Sequence, residues 1–337
     1  MHMSDALLSV AVGATMNVVS TGAIGYSVSK VKKYDYEENK IPMMGVMGAF
    51  IFAAQMINFT IPVTGSSGHI GGGILLAALL GPFPAVITLS CVLLIQCLFF
   101  ADGGLLALGC NIFNIAILPC LVAYPLIYKK ILKKKMTTGR ITLAAIAAVV
   151  VGLQLGAFGV VIQTLLSGIT ELPFRAFVIV MQPIHLAIGI VEGIVTAAVL
   201  CYVYHNRKSI LEQALGQGSA GNASMKKVYI GFIVAALLVG GVFSWFASAN
   251  PDGLEWAIGK VAGKAEIGSA SNLHEAAQTL QNTTAFLPDY ALAEDVTADG
   301  KLGTSLSGIV GGSITLACAM GFGALIMLFK KRKGRKY

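Results

Sequence analysis

Charge is what this sequence has least of. Only 12% of its 337 residues are Asp, Glu, Lys or Arg, against about 25% in ordinary soluble domains. That deficit excludes a soluble globular protein. Cysteine is sparse too. The six (Cys91, Cys97, Cys110, Cys120, Cys201, Cys318) all lie in apolar stretches, and none has CxxC spacing. A disulfide framework or structural zinc site is therefore not expected, and the six read as small buried hydrophobes. Nucleotide and hydrolase signatures are missing as well. The nearest string to a P-loop, Gly253 to Lys260, has five residues between its glycines and the wrong ending, so ATP binding by a P-loop is excluded. Neither GxSxG nor HExxH occurs. The start lacks a basic n-region and an A-x-A cleavage site, so the first span is expected to stay attached and Met1 with it.

Long apolar runs are abundant. Nine spans are read at about 6–29, 41–63, 68–82, 83–101, 103–128, 141–167, 175–204, 228–248 and 306–329. This predicts an all-α polytopic membrane protein. Gly81-Pro82-Phe83-Pro84 divides the third span from the fourth. The third is short and opens with Gly68, Gly71, Gly72 and Gly73, which suits a partial or tilted helix better than a full crossing.

The net charge of +8 first suggests nucleic acid. Its placement argues otherwise. Of the 24 basic residues, 20 fall in loops or ends at 30–40, 129–140, 205–227 and 330–337. The others are Arg175, Lys260, Lys264 and Lys301. Nine crossings put these two sets on opposite sides, so the N-terminus is expected outside and the C-terminus in the cytoplasm. The tail KKRKGRKY then serves as a positive-inside anchor.

Three regions are expected: a seven-span unit over 1–208, a flexible Gly/Ser/Ala/Gln-rich cytoplasmic linker over 209–226, and a two-span unit over 227–337. The last carries an outward loop at 249–305 with eight acids against three lysines, net −5. In the first span Thr21, Gly25 and Ser29 form a small-residue ridge suited to close helix packing.

The start Met1-His2 carries the chemistry. A terminal amine, the amide nitrogen of residue 2 and its imidazole close a five-membered and a six-membered chelate ring. They give three nitrogens in one plane, which suits Ni(II) or Cu(II), with Co(II) acceptable. Amide deprotonation makes affinity fall with acid. His69, in Thr64-Gly65-Ser66-Ser67-Gly68-His69 on the same expected side, supplies a fourth nitrogen candidate. Asn58, Ser66 and Ser67 are candidates to orient the ligands. Among polar intramembrane residues, His185 and Glu192 are seven apart on one helix face. They suit an interhelical hydrogen-bond role or, in a competing reading, proton coupling. Asn111 and Asn114 suit bonds between helices or to a ligand's surroundings. Gln55, Gln96, Asp102, Gln154, Gln163 and Gln182 complete this polar set. His205 and His274 read as solvated.

The segments MHMSDALLS, MGVMGAFIFAAQMINFTIPVTGSSGHIGGG, FFADGGLLALGCNIFN and IVEGIVTA resemble the CbiM/NikM family over about residues 1–205. These are substrate-capture membrane components of energy-coupling-factor transporters for cobalt and nickel. The second unit, with ANPDGLEWA in its outward loop, resembles the small N component, so the chain resembles a natural M–N fusion. The resemblance implies that Met1, His2 and His69 hold Ni(II) or Co(II) as transported substrate, with no catalytic residue and no resident cofactor. It implies a transmembrane coupling (T/Q) subunit and cytoplasmic ABC-type ATPases as partners, in a plasma membrane. It also links the metal to uses such as cobalamin biosynthesis. The competing class is a stand-alone secondary transporter or channel coupled through Glu192 and His185. An intramembrane enzyme lacks any nucleophile–base constellation.

Overall fold

A computed structural model describes residues 1–33, 40–217, 225–263, 271–292 and 301–334. Linker residues 218–224, the loop residues Lys264, Glu266, Glu294, Asp295 and Asp299, and the last three residues lie outside these. The chain is helical with one small hairpin. Its elements are α1 (Val10–Lys33), α2 (Lys40–Gln55), β1 (Phe59–Ile61), β2 (Ser66–Gly68), α3 (Gly73–Leu80), α4 (Pro82–Phe100), α5 (Leu108–Leu132), α6 (Thr138–Ser167), α7 (Phe174–Leu215), α8 (Lys226–Gly241), α9 (Gly253–Ala262), α10 (Asn272–Thr284) and α11 (Lys301–Gly334).

Among the described residues, five helices are long and apolar enough to cross a membrane: α4, α5, α6, α7 and the Lys301–Phe329 stretch of α11. In lipid every backbone group must be satisfied within the segment, which selects helices. The outward faces of α6 and α7 remain apolar, with Leu143, Leu166, Ile179 and Ile194 exposed. Such faces suit hydrocarbon and not water.

Several span ends differ from those read in the sequence. α2 stops at Gln55, and the rest of the 41–63 span is the antiparallel hairpin pairing Phe59 with Gly68 and Ile61 with Ser66. α3 has eight residues, all buried. At 1.5 Å per residue it is about 12 Å long, short of a bilayer's thickness, so the helix alone does not make up the 68–82 span. Gly81 at φ 89° and Pro82 at the first turn of α4 break the chain there. α5 begins at Leu108 and winds wider than an α-helix from Ile112 to Tyr128, around Pro119 and Pro125. Such π-type winding recurs at functional sites. α7 runs to Leu215 through a kink at Arg207. The first residues of the expected flexible linker are therefore helix, held by buried Ile210, Leu211 and Leu215 and by the Tyr124 hydroxyl donating to Ala214 O at 3.1 Å. Residues 301–305, read as loop, already belong to α11.

The core runs through α2 to α7, with α6 and α7 packed along each other and along α5. α8 and α11, from the second unit, pack on α2. Between α8 and α11, α9 packs on α7 and β2, and α10 packs on α4.

Candidate metal centre

The first nine residues fold back against the helix bundle instead of projecting from it. Met1, Met3, Leu7 and Leu8 are buried, which removes apolar area from water and drives the tuck. Polar contacts then fix its register. Asn111 on α5 accepts the Met3 N–H at 2.7 Å and donates to Met3 O at 3.1 Å. Gly104 N–H also donates to Met3 O, at 2.9 Å. Asp5 Oδ1 accepts the Ala107 N–H at 2.9 Å. Gly103 has φ +80°, and a β-carbon there would stand 2.7 Å from Asn111 Nδ2 and 3.3 Å from His2 Cβ. Only glycine fits this turn beneath His2.

Met1, His2 and His69 come together. The Met1 amine lies 2.9 Å from His69 Nε2. The His2 and His69 rings stack with centroids 5.0 Å apart and planes within 2°. Burial, and then the nearby amine, pull the His69 pKa down from 6.5 to about 3, so its Nε2 carries a lone pair at neutral pH. The His2 amide N–H forms no hydrogen bond among the described residues, while the next amide, Met3, is bound.

Two carboxylates flank these nitrogens. Asp252 Oδ2 accepts from the Met1 amine at 2.6 Å. Asp102 Oδ1 meets His2 Nδ1 at 3.0 Å, and the Tyr290 hydroxyl donates to Asp102 Oδ2 at 2.6 Å. Burial alone would raise both carboxyls. For Asp252 the amine and His69 reverse this, and for Asp102 the reversal comes from His2, Tyr290 and His69, so both end below the usual range. His2 is turned so that Nδ1 faces Asp102, while Nε2 is buried without a partner among the described residues. A chelate through the amine and amide needs Nδ1 instead.

Asp252 belongs to the second unit, and so do its supports. It caps α9, accepting the Leu254 and Glu255 N–H groups at 2.8 and 2.9 Å, a favourable place for an anion. The segment before it is sewn to the hairpin and the residue ahead of it: Ser67 N–H donates to Pro251 O at 2.8 Å, Ser67 Oγ to Asn250 O at 2.7 Å, and Ser248 N–H to Asn58 O at 2.6 Å. Trp256 Nε1–H donates to Thr64 O at 2.9 Å. Asn58, Ser66 and Ser67 therefore hold the second unit and not the ligands. His274, read as solvated, is buried. Its Nδ1 meets Ser271 Oγ at 2.7 Å and its Nε2 meets Leu8 O at 2.7 Å, because α10 lies across the N-terminal segment. His205 is exposed. Asn114 pairs with Gln163 across α5 and α6, at 2.7 and 3.2 Å. Glu192 accepts the Gly72 N–H at 2.9 Å, just beyond His69.

Among the described residues no three His, Cys, Asp or Glu side chains form a metal cluster. An ion held here must use terminal and backbone nitrogen, as Met1 and His2 offer. The sequence reading left the roles of Asp252 and Tyr290 unassigned, gave Asn111 bonds between helices or to a ligand's surroundings, and grouped Asp102 with the intramembrane polar residues. Their separations from the ligands in the chain, up to 251 residues, left no local signal.

Residues 2–210 match the family profile described as the cobalt uptake substrate-specific transmembrane region, CbiM, and residues 226–328 match the PDGLE domain. The chain belongs to the CbiM family. It is the fused form, with a CbiM unit followed by a PDGLE unit, and a multi-pass membrane protein. It is 32% identical over 322 residues to a putative fused nickel transport protein, NikMN, of Archaeoglobus fulgidus, covering 94% of this chain and 96% of that protein. It is 28% identical over 363 residues to the fused nickel transport protein NikMN of Rhodobacter capsulatus, covering 99% of this chain and all of that protein. A crystal structure of a truncated transition metal transporter shares 32% identity and a TM-score of 0.54, covering 61% of this chain and 99% of that one. These relatives are transport proteins by name, in keeping with a non-enzymatic metal transporter.

Proposed function

We propose that this chain captures Ni(II) or Co(II) at the outer face of the plasma membrane, in a planar four-nitrogen site. The donors are the Met1 amine, the His2 amide nitrogen, His2 Nδ1 and His69 Nε2. The observation that carries the reading is the 2.9 Å between the amine and His69 Nε2. Metal–imidazole bonds run to about 2.0–2.1 Å, so neighbouring corners of a square around one ion lie about 2.9 Å apart. The unbonded His2 amide suits the third corner. Loading includes a half-turn of the His2 ring, which brings Nδ1 to the ion and leaves Nε2–H for Asp102. Asp102 then orients the ligand as carboxylates orient metal-bound histidines. Asp252 accepts from the coordinated amine. The two carboxylates also offset the ion's charge.

Planar nitrogen coordination suits Ni(II) as it does Cu(II), with Co(II) acceptable, so the donor set admits Ni(II) and Co(II) without choosing between them. Relatives named for nickel and for cobalt support the same pair. The segregation of basic residues supports nine crossings, with the N-terminus outside and the C-terminus cytoplasmic. The two family matches support the division into a seven-helix unit and a two-span unit. Lacking a P-loop, the chain acts as the substrate-binding component of an energy-coupling-factor importer. A transmembrane coupling subunit and cytoplasmic ABC-type ATPases hydrolyse ATP and drive release inward. The alternative, a stand-alone carrier using Glu192 and His185 for protons, is less well supported, because Glu192 is engaged with the Gly72 amide.

Purified full-length protein, loaded with nickel and cobalt in competition and measured by elemental analysis, tests the site. His2→Ala, His69→Ala or a residue inserted before His2 should abolish tight retention. Wild-type nickel retention by His2→Ala would refute it. Uptake persisting without any ATPase partner would favour the stand-alone carrier.

A further inference from the structure

Behind the Met1 amine a cavity of about 30 Å³ extends between α3, α5 and α7. This is room for about two water-sized occupants. Met1 and His69 line it, His185, Ile188 and Glu192 line the side along α7, and Pro119 on α5 completes it. Glu192 lies seven positions after His185, about 10 Å along the helix axis.

His185 is the unusual member. It is 1% exposed. Its Nδ1 lies 2.8 Å from Met181 O. A carbonyl accepts only, so Nδ1 carries the hydrogen and Nε2 the lone pair. That lone pair is buried and has no partner among the described residues. Buried polar atoms are nearly always satisfied, so one that is not calls for an explanation. A β-carbon on Gly253 would stand 3.2 Å from it, so glycine at that position keeps the space before it open. Glu192, 3% exposed, adds a carboxyl group to the same cavity. Intramembrane ionisable groups of this kind mark ion pathways.

We propose that this cavity is a second, inner station for the transported divalent cation, distinct from the four-nitrogen site. His185 Nε2 is its nitrogen donor, an imidazole suited to nickel and cobalt, and Glu192 is its charge partner. One imidazole without chelate rings binds more weakly than the amine–amide–imidazole set. The station therefore receives an ion leaving the outer site and does not compete with it. This rests on the outer site proposed above.

Co(II) is the probe, followed by its visible absorption and by equilibrium dialysis on the purified full chain. Wild type should bind one ion tightly and a second at least tenfold more weakly. His2→Ala should lose the tight ion and keep the weak one. His2→Ala combined with His185→Gln should lose both. His185→Gln alone should hold one ion, and that tight ion reports that the variant folds. Glu192→Gln should weaken the second ion. If His2→Ala binds no second ion, or if its residual binding is unchanged by His185→Gln, the inner station is refuted. Wild-type tight binding by His2→Ala would instead overturn the outer site.

Discussion

Asn111 makes no contact with any of the four proposed nitrogen donors, yet it should control their affinity for metal. Its side-chain amide clamps the Met3 peptide at both ends, 2.7 Å to N–H and 3.1 Å to O. Asn111→Ala removes both bonds. Met3 O keeps the Gly104 N–H at 2.9 Å, but Met3 N–H is left buried and unpaired. Leaving a buried donor unpaired costs about 1–3 kcal/mol. The cost falls on the folded-back arrangement of residues 1–3, and metal binding requires that arrangement. It should therefore appear as a loss of about 5–150-fold in nickel affinity. Asn111→Asp should not rescue it. The acceptor for Met3 N–H survives, but the donor becomes an oxygen facing Met3 O. The assay is competition for Ni(II) between the purified full-length variant and a chelator of known affinity. Nickel affinity within twofold of wild type in a folded Asn111→Ala protein would refute the reasoning.

Three further outcomes follow from the same geometry. Asp252→Asn removes the carboxylate on the Met1 amine and should weaken nickel binding about 10–100-fold, measured by the same competition; an unchanged affinity would mean that the PDGLE unit merely sits nearby. Tyr290→Phe removes a hydrogen bond to the Asp102 carboxylate, a class worth about 1.5–3 kcal/mol, and should lower both the melting temperature and nickel affinity. His69 titrates near 3 when folded and near 6.5 when unfolded. Between those values the unfolded chain takes up a proton that the folded chain refuses, so His69 makes metal-free stability climb with pH across the window and adds no slope above it. Thermal unfolding of His69→Ala from pH 3.5 to 7.5 should lack that component.

The hydrophobic runs were legible because lipid leaves the backbone few options: a long apolar stretch becomes helix whatever surrounds it. Their ends were not, because distant partners set them. α2 gives way to a hairpin at residue 59, and that hairpin is held by the carbonyls of Asn250 and Pro251, nearly 200 residues on. The proposed nitrogen donors on Met1 and His2 could be singled out because chelate rings are local. Their carboxylate neighbours could not. The outward loop shows its net −5 as a bulk property, and nothing in that sum singles out Asp252. His274 was misread for a related reason. α10 carries few apolar residues, so its sequence suggests a solvated helix. It docks instead through polar groups, His274 to Leu8 O and Gln281 Nε2 to Gly103 O at 2.6 Å.

These polar contacts bear on why the two units share one chain. The PDGLE unit reaches the proposed metal centre from three separate elements: Asp252 at the start of α9, His274 and Gln281 on α10, and Tyr290 beyond it. Each such contact is individually modest, since hydrogen bonds net only about 0.5–1.5 kcal/mol, and about 1.5–3 to a charged group. An association between separate chains must also offset lost translational and rotational freedom, on the order of 4–15 kcal/mol. Covalent joining replaces that loss with an effective concentration of about millimolar for a short flexible connection. A polar, separable interface can then be occupied most of the time and still open. An apolar interface of the same area would hold the Met1 amine against Asp252 more permanently and hinder entry of the ion. The fused arrangement thus lets the second unit complete the site's charge balance without sealing it.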